Sequence, residues 1–184
     1  MEIMEKLYNK GFISYPRTET NVFNPTINLK KFVQELTKSE VMGDFANKVL
    51  SGEMFKGPRN GKQDDKAHPP IHPVKVAYKN ELGLDEWRIY ELVARHFLAC
   101  ISKDAVGSET KVECFIGGEY FHTKGLIIEE LNWLEIFTYD KWSDSYLPPF
   151  QKGEEFEPSA ITMQEGETQA PTPLTESDLI GKMD

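Results

Sequence analysis

Tyr15 and Arg17 stand two residues apart in the run Ile13-Ser14-Tyr15-Pro16-Arg17-Thr18-Glu19-Thr20. A tyrosine hydroxyl can act as a covalent nucleophile, but with an unperturbed pKa of about 10 it needs help to lose its proton. A guanidinium is a planar cation that grips two phosphate oxygens and stabilises charge building up on phosphorus. Together the two side chains suit attack on a phosphodiester. Taken in isolation, the same pair more often marks a packed tyrosine beside a surface ion pair.

A second run, Asp64-Asp65-Lys66-Ala67-His68-Pro69-Pro70-Ile71-His72-Pro73, holds two histidines four residues apart. On a helix that spacing would suit zinc, but Pro69 and Pro70 forbid the helix and no Glu follows the first His. An imidazole that contacts a phosphate or moves a proton to it is the better functional reading of His68. A turn histidine held by hydrogen bonds is an equal alternative at this point. Just before this run, Gly57-Pro58-Arg59-Asn60-Gly61-Lys62 superficially resembles a nucleotide loop. It has three residues between its glycines where the phosphate-binding pattern needs four, and Gln63 replaces the required Ser or Thr, so nucleotide binding is rejected. Arg59, Lys62 and Lys66 instead read as a solvated basic loop, with contact to a nucleic-acid backbone as the second reading.

The elements that position these residues follow from periodicity. Ile3, Met4, Leu7 and Tyr8 have helical spacing and stop at Gly11, so a short helix leads into the tyrosine run, which Pro16 keeps extended. Leu29, Phe32, Val33 and Leu36 predict a helix capped by Asn28, and Phe45, Val49 and Leu50 predict another. Residues 52–73 are rich in turn-forming types and read as a surface loop. A longer helix is predicted from Glu86 to about Ile101, with Asp85 as its cap. Beyond Lys103 the period changes to that of strands, with a hairpin turn at Gly117-Gly118 and further short strands expected at 134–139, 155–157 and 160–163. Thr175 to Asp178 predicts the cap of a last helix, which two turns later meets the end of the chain.

Charge divides the chain at the same place. The 184 residues carry a net charge of −9, yet residues 1–103 sum to +3 and residues 104–184 to −12. Only the first part suits a polyanion. Trp133, Tyr139 and Trp142 lie among acidic residues that repel a phosphate backbone, so packing is the favoured reading for them. Cys100 and Cys114 form no CxxC pair, and neither a disulfide framework nor a zinc ribbon is written here. No apolar run approaches the roughly 20 residues that span a bilayer, and the charged start MEIMEKLYNK is unlike a signal peptide, so a membrane or secreted protein is not expected.

Taken together, Gly-Phe-Ile-Ser-Tyr-Pro-Arg-Thr-Glu-Thr at 11–20 and Ala-His-Pro-Pro-Ile-His-Pro at 67–73 resemble the type IA DNA topoisomerases. The closer resemblance is to the alpha-type branch of eukaryotic topoisomerase III, through Pro-Arg-Asn-Gly (58–61), Arg-His-Phe-Leu-Ala-Cys (95–100) and Tyr-Asp-Lys-Trp-Ser-Asp (139–144). The resemblance implies that Tyr15 attacks one DNA strand and is joined to its 5′ phosphate, that Arg17 stabilises that phosphate, and that His68 contacts it and assists proton movement. His72 joins Arg59, Lys62 and Lys66 as a candidate DNA contact. The implied fold class is α+β: a helical tyrosine domain at 1–103, a β-rich arch segment at 104–172, and the start of a further domain at 173–184. The resemblance further implies Mg2+ held by carboxylates of a Toprim domain that this sequence does not contain, making it a central piece that is inactive alone. It also implies single-stranded DNA as substrate, a RecQ-type helicase and an OB-fold subunit as partners, and a nuclear location with mitochondrion as a second site. The alternative class is a non-catalytic nucleic-acid or protein-binding module in which Tyr15 is structural.

Overall fold

In the computed structural model, which describes residues 1–183, the first four helices form where the apolar spacing requires. They are α1 (Glu2–Asn9), α2 (Leu29–Leu36), α3 (Gly43–Leu50) and α4 (Leu84–Cys100). Gly11 ends the first with φ +74°, a left-handed conformation that a side chain would strain. Asn28 caps α2, its side-chain oxygen accepting from Lys31 N–H. The longest helix begins earlier than expected. Gly83 stands at its start because the Glu86 carboxylate reaches back to the Gly83 N–H at 3.1 Å, which leaves Asp85 in the first turn instead of capping it.

One apolar core unites these helices. Leu7 of α1, Val33 and Leu36 of α2, Ala46 and Val49 of α3, and Tyr90, Ala94, Phe97 and Leu98 of α4 are all essentially inaccessible to solvent. Each large side chain among them contributes about 1.5–3 kcal/mol through burial. Tyr90 has a second task. Its hydroxyl donates to the Lys75 carbonyl at 2.8 Å and accepts the Ala77 N–H at 3.1 Å, fixing the segment after the second histidine run to α4. Burial pushes its phenol pKa well up, so it stays a donor. Tyr90→Phe is expected to leave both backbone groups without a partner and to cost about 1–3 kcal/mol in urea unfolding, with the helical circular dichroism spectrum unchanged.

After α4 the chain forms an antiparallel hairpin, β1 (Val106–Ile116) and β2 (Glu119–Glu130), turning at Gly117 and Gly118 with φ +62° and +97°. Two consecutive left-handed residues match the twist of a two-residue hairpin turn. The base of the hairpin is tied down by polar bonds. The Asn132 amide donates to the Asp104 carbonyl at 2.7 Å, and Arg95 of α4 donates to the Ile136 carbonyl at 2.9 Å. The strand expected at 134–139 is absent; a 3-10 turn, Asn132–Glu135, occupies its start and buries Leu134 and Ile136. A short turn buries both side chains without needing a partner strand.

Contacts divide the chain into two compact units, Met1–Pro148 and Pro149–Asp184, so the change of period at Lys103 lies inside the first. In the second unit every described residue is exposed, and residues 155–157 and 160–163 form no strand. Segments this short have no neighbour to satisfy their backbone groups. Its helix α5 (Glu176–Met183) starts where expected. Thr175 accepts the Asp178 N–H at 3.2 Å while the Asp178 carboxylate accepts the Thr175 N–H at 3.0 Å. The chain is thus of the α+β class.

Candidate active site

The two chemistry-bearing runs are brought together by a short antiparallel bridge between Ile13 and Pro73. Buried Phe12 and Ile13 anchor one side and Pro73 the other. Ser14 N–H donates to the His72 carbonyl and Val74 N–H to the Phe12 carbonyl, both at 2.9 Å. The Ser14 hydroxyl closes the ladder by accepting the His72 N–H at 2.9 Å. Pro16 has no N–H to extend it. Tyr15 and His68 therefore emerge side by side, their rings stacked with centroids 4.7 Å apart and planes 29° apart. Tyr8 of α1 packs edge-on against the opposite partner of that stack, 5.4 Å from the Tyr15 ring. Tyr15 and His68 are both half-buried, which leaves them reachable from solvent.

Asp65 orients the histidine. One carboxylate oxygen accepts the N–H groups of His68 and Ala67 at 2.8 and 2.9 Å, and the other lies 3.4 Å from His68 Nδ1. The backbone bond from His68, then that from Ala67, hold the Asp65 carboxyl far below the usual carboxylate range. With Nδ1 facing this fixed anion, Nε2 is left as the nitrogen that can accept a proton or meet a phosphate. Sequence reasoning passed over Asp65. Its signal was the Asp-x-x-His spacing of an Asp-centred turn.

Arg17 is exposed and lies on the same run, but its guanidinium is held by Glu5 of α1, with Nε donating at 2.7 Å and Nη2 also bound. The hydrogen bond to Glu5, and then that carboxylate's charge, raise the Arg17 pKa above its ordinary value. Nothing in the spacing of residues 5 and 17 announces this pair; only the turn at Gly11 makes it.

The basic loop is laced to the residues after Arg17. Asn21 exchanges backbone bonds with Gln63 and Gly61, and Asn60 accepts the Phe23 N–H, all at 2.9–3.0 Å. Gly61 is needed for this approach, since a Cβ there would overlap the Asn21 amide. Arg59, Lys62 and Lys66 are exposed, as a backbone-contacting role requires. Lys66 adopts φ +57°, with its N–H bound to the Asp64 carboxylate at 2.8 Å.

His72 departs from its expected role. It is 5% exposed, lies 4.5 Å from Phe32 and 6.0 Å from Phe23 by ring centroids, and donates from Nδ1 to the Pro70 carbonyl at 2.8 Å. Its ring is committed to the aromatic core and is not presented to DNA. Burial lowers its pKa, so the folded state prefers the neutral ring. The stability this contributes is present above the unfolded value of about 6.5 and is lost as pH falls below it. The urea midpoint is therefore expected to drop between pH 7.5 and 5.5, and to drop less in His72→Asn, whose amide keeps a donor without titrating.

This geometry coincides with a family assignment. The sequence model of the DNA topoisomerase family matches residues 1–184. The chain therefore belongs to the DNA topoisomerases, in their type IA branch. Within it, the similarity is to topoisomerase 3 proteins of eukaryotes. The chain is 51% identical to DNA topoisomerase 3 of Caenorhabditis elegans, 52% to DNA topoisomerase 3-alpha of Drosophila melanogaster and 50% to DNA topoisomerase 3-alpha of Homo sapiens. All 184 residues align in each case, and they span 24%, 14% and 18% of those proteins.

Proposed function

We propose that this chain carries the nucleophile of an enzyme that cuts one DNA strand through Tyr15, passes a strand through the gap and reseals it. The observation that carries this reading is the convergence of Tyr15 and His68 on one accessible face, with Arg17 on the same run. In cleavage, Tyr15 Oη bonds to phosphorus and the bond to the 3′ oxygen breaks, so the 5′ phosphate stays on the tyrosine. A phosphodiester is exchanged for a phosphotyrosine diester, and resealing needs no ATP. Arg17 stabilises the charge on the non-bridging oxygens, and His68 Nε2 contacts the phosphate or takes part in moving the tyrosine proton. Arg59, Lys62 and Lys66 follow the backbone of the strand.

The parent enzyme is read as nuclear, with the mitochondrion as a second site, and as working with a RecQ-type helicase and an OB-fold subunit. Residues 1–103 are read as its tyrosine domain, 104–172 as part of the arch and 173–184 as the start of a further domain. Mg2+, which the family resemblance implies, finds no fitting donor set among the described residues, where no three His, Cys, Asp or Glu side chains converge. The two carboxylates at the site are engaged, Asp65 in the His68 turn and Glu5 with Arg17.

The polarity of the linkage tests the reading. The full-length parent protein is incubated with single-stranded DNA labelled at either end and then denatured. Label at the 3′ end should remain with protein, in the peptide containing Tyr15, and label at the 5′ end should be released. Retention of the 5′ label, or an adduct on another residue, would overturn the reading. The non-catalytic alternative predicts no adduct with either label.

A further inference from the structure

A cavity of about 500 Å³ opens beside the tyrosine run. Thr18 and Thr20 form part of its wall, Pro58, Arg59 and Ile71 come from the two loops, Met4 comes from α1, and α4 contributes Leu92 and Val93 among others. The lining is chiefly apolar. In a chain with 30 acidic residues, none of them lines this cavity, while an arginine does. The cavity wall is linked to the candidate site through Thr18. Thr18 bonds to Asp65, which orients the His68 ring stacked on Tyr15.

We infer that this cavity receives a nucleobase of the strand whose phosphate lies at Tyr15 and Arg17, with Arg59 meeting a flanking phosphate. The inference rests on the reading of the site given above. A single strand presents flat apolar bases on an anionic backbone, and a cavity with apolar walls, a cation and no carboxylate complements both parts. A peptide side chain would fill the volume but would give Arg59 no anion.

The site takes any base. Its threonine and asparagine wall groups are already committed: Thr18 Oγ1 accepts the Thr20 N–H at 3.1 Å, Thr20 Oγ1 accepts the Asp65 N–H at 3.0 Å, and Asn21 Oδ1 accepts the Gln63 N–H at 3.0 Å. With these groups engaged inside the protein, contact with the base is through stacking and apolar surface, which every base offers. Such a site holds the strand in place beside the nucleophile without imposing a sequence.

The probe is an oligodeoxynucleotide of about eight residues, compared with one of equal length and charge built wholly of abasic residues. Binding to the purified chain is followed at low salt by fluorescence anisotropy, and the methyl resonances of Ile71, Leu92 and Val93 by NMR. The intact strand should bind roughly tenfold more tightly than the abasic one and shift those methyls, and base composition should change its affinity by less than about threefold. Leu92→Trp, at a position exposed enough to accept the larger ring, should abolish the difference between the two strands. Equal binding of intact and abasic strands, or intact-strand binding that leaves the three methyls unmoved, overturns the nucleobase site while the phosphate contacts stand. Failure of the intact strand to bind at all overturns the DNA reading and the inference with it.

Discussion

Tyr15→Phe in the full-length parent protein is expected to end covalent capture of DNA while leaving the fold intact. Phenylalanine keeps the ring that stacks on His68 at 4.7 Å and meets Tyr8 at 5.4 Å, and removes only the hydroxyl proposed to attack. Loss of a nucleophile from an assembled site costs on the order of a millionfold, which places adduct formation below detection. Stability should change by no more than about 0.5 kcal/mol, because the half-buried ring still fills its place. The readout is denaturing electrophoresis of protein with end-labelled single-stranded DNA, alongside urea unfolding of the same preparation. Persistence of an adduct in a folded Tyr15→Phe protein would move the nucleophile elsewhere.

The second large effect belongs to Arg17. Arg17→Ala should slow adduct formation by about 100- to 1,000-fold, the range found when a group that stabilises transition-state charge is removed. Arg17→Lys should recover only part of this, since an ammonium keeps the charge and loses the planar fork. Glu5 explains why the fork matters. It occupies the Nε and Nη2 edge of the guanidinium, which leaves the remaining edge for the proposed phosphate contact. Affinity for single-stranded DNA should fall much less than the rate, because one exposed cation among several contributes a small share of the salt-dependent attraction. Single-turnover cleavage and equilibrium binding, measured on the same variants, separate the two. A loss of affinity as large as the loss of rate would make Arg17 a binding residue only.

Local signals in the sequence predicted local structure well. Gly11, Asn28, Gly117-Gly118 and Thr175 each occur where the chain turns or a helix begins, because each acts through its own backbone or a neighbour within three residues. The expected strands at 134–139, 155–157 and 160–163 failed for a related reason. Strand propensity describes fitness for a sheet, and these segments have no sheet to join. The site was legible only in part. Tyr15, Arg17 and His68 could be named from residue type and resemblance, and the structure stacks two of them. Glu5 could not be assigned a role because its partner depends on the α1 turn, whereas Asp65 was passed over although its partners lie within three residues. His72 was misjudged because a histidine four residues from another looks alike whether its ring faces solvent or, as here, three phenylalanines.

The bridge between Ile13 and Pro73 also sets the order in which the protein matures. Its Ser14–His72 bonds join residues 58 positions apart in the chain, whereas α2 and α3 can pair across a few residues. Closing so long a loop costs more entropy than pairing α2 with α3, so it is expected later in folding than that pair. A chain that has collapsed but not yet closed this loop has its helices and no stacked Tyr15–His68 pair. A substitution that delays closure, such as one at Pro73, would appear in stopped-flow refolding as a lag between the far-ultraviolet signal of the helices and the burial of the site.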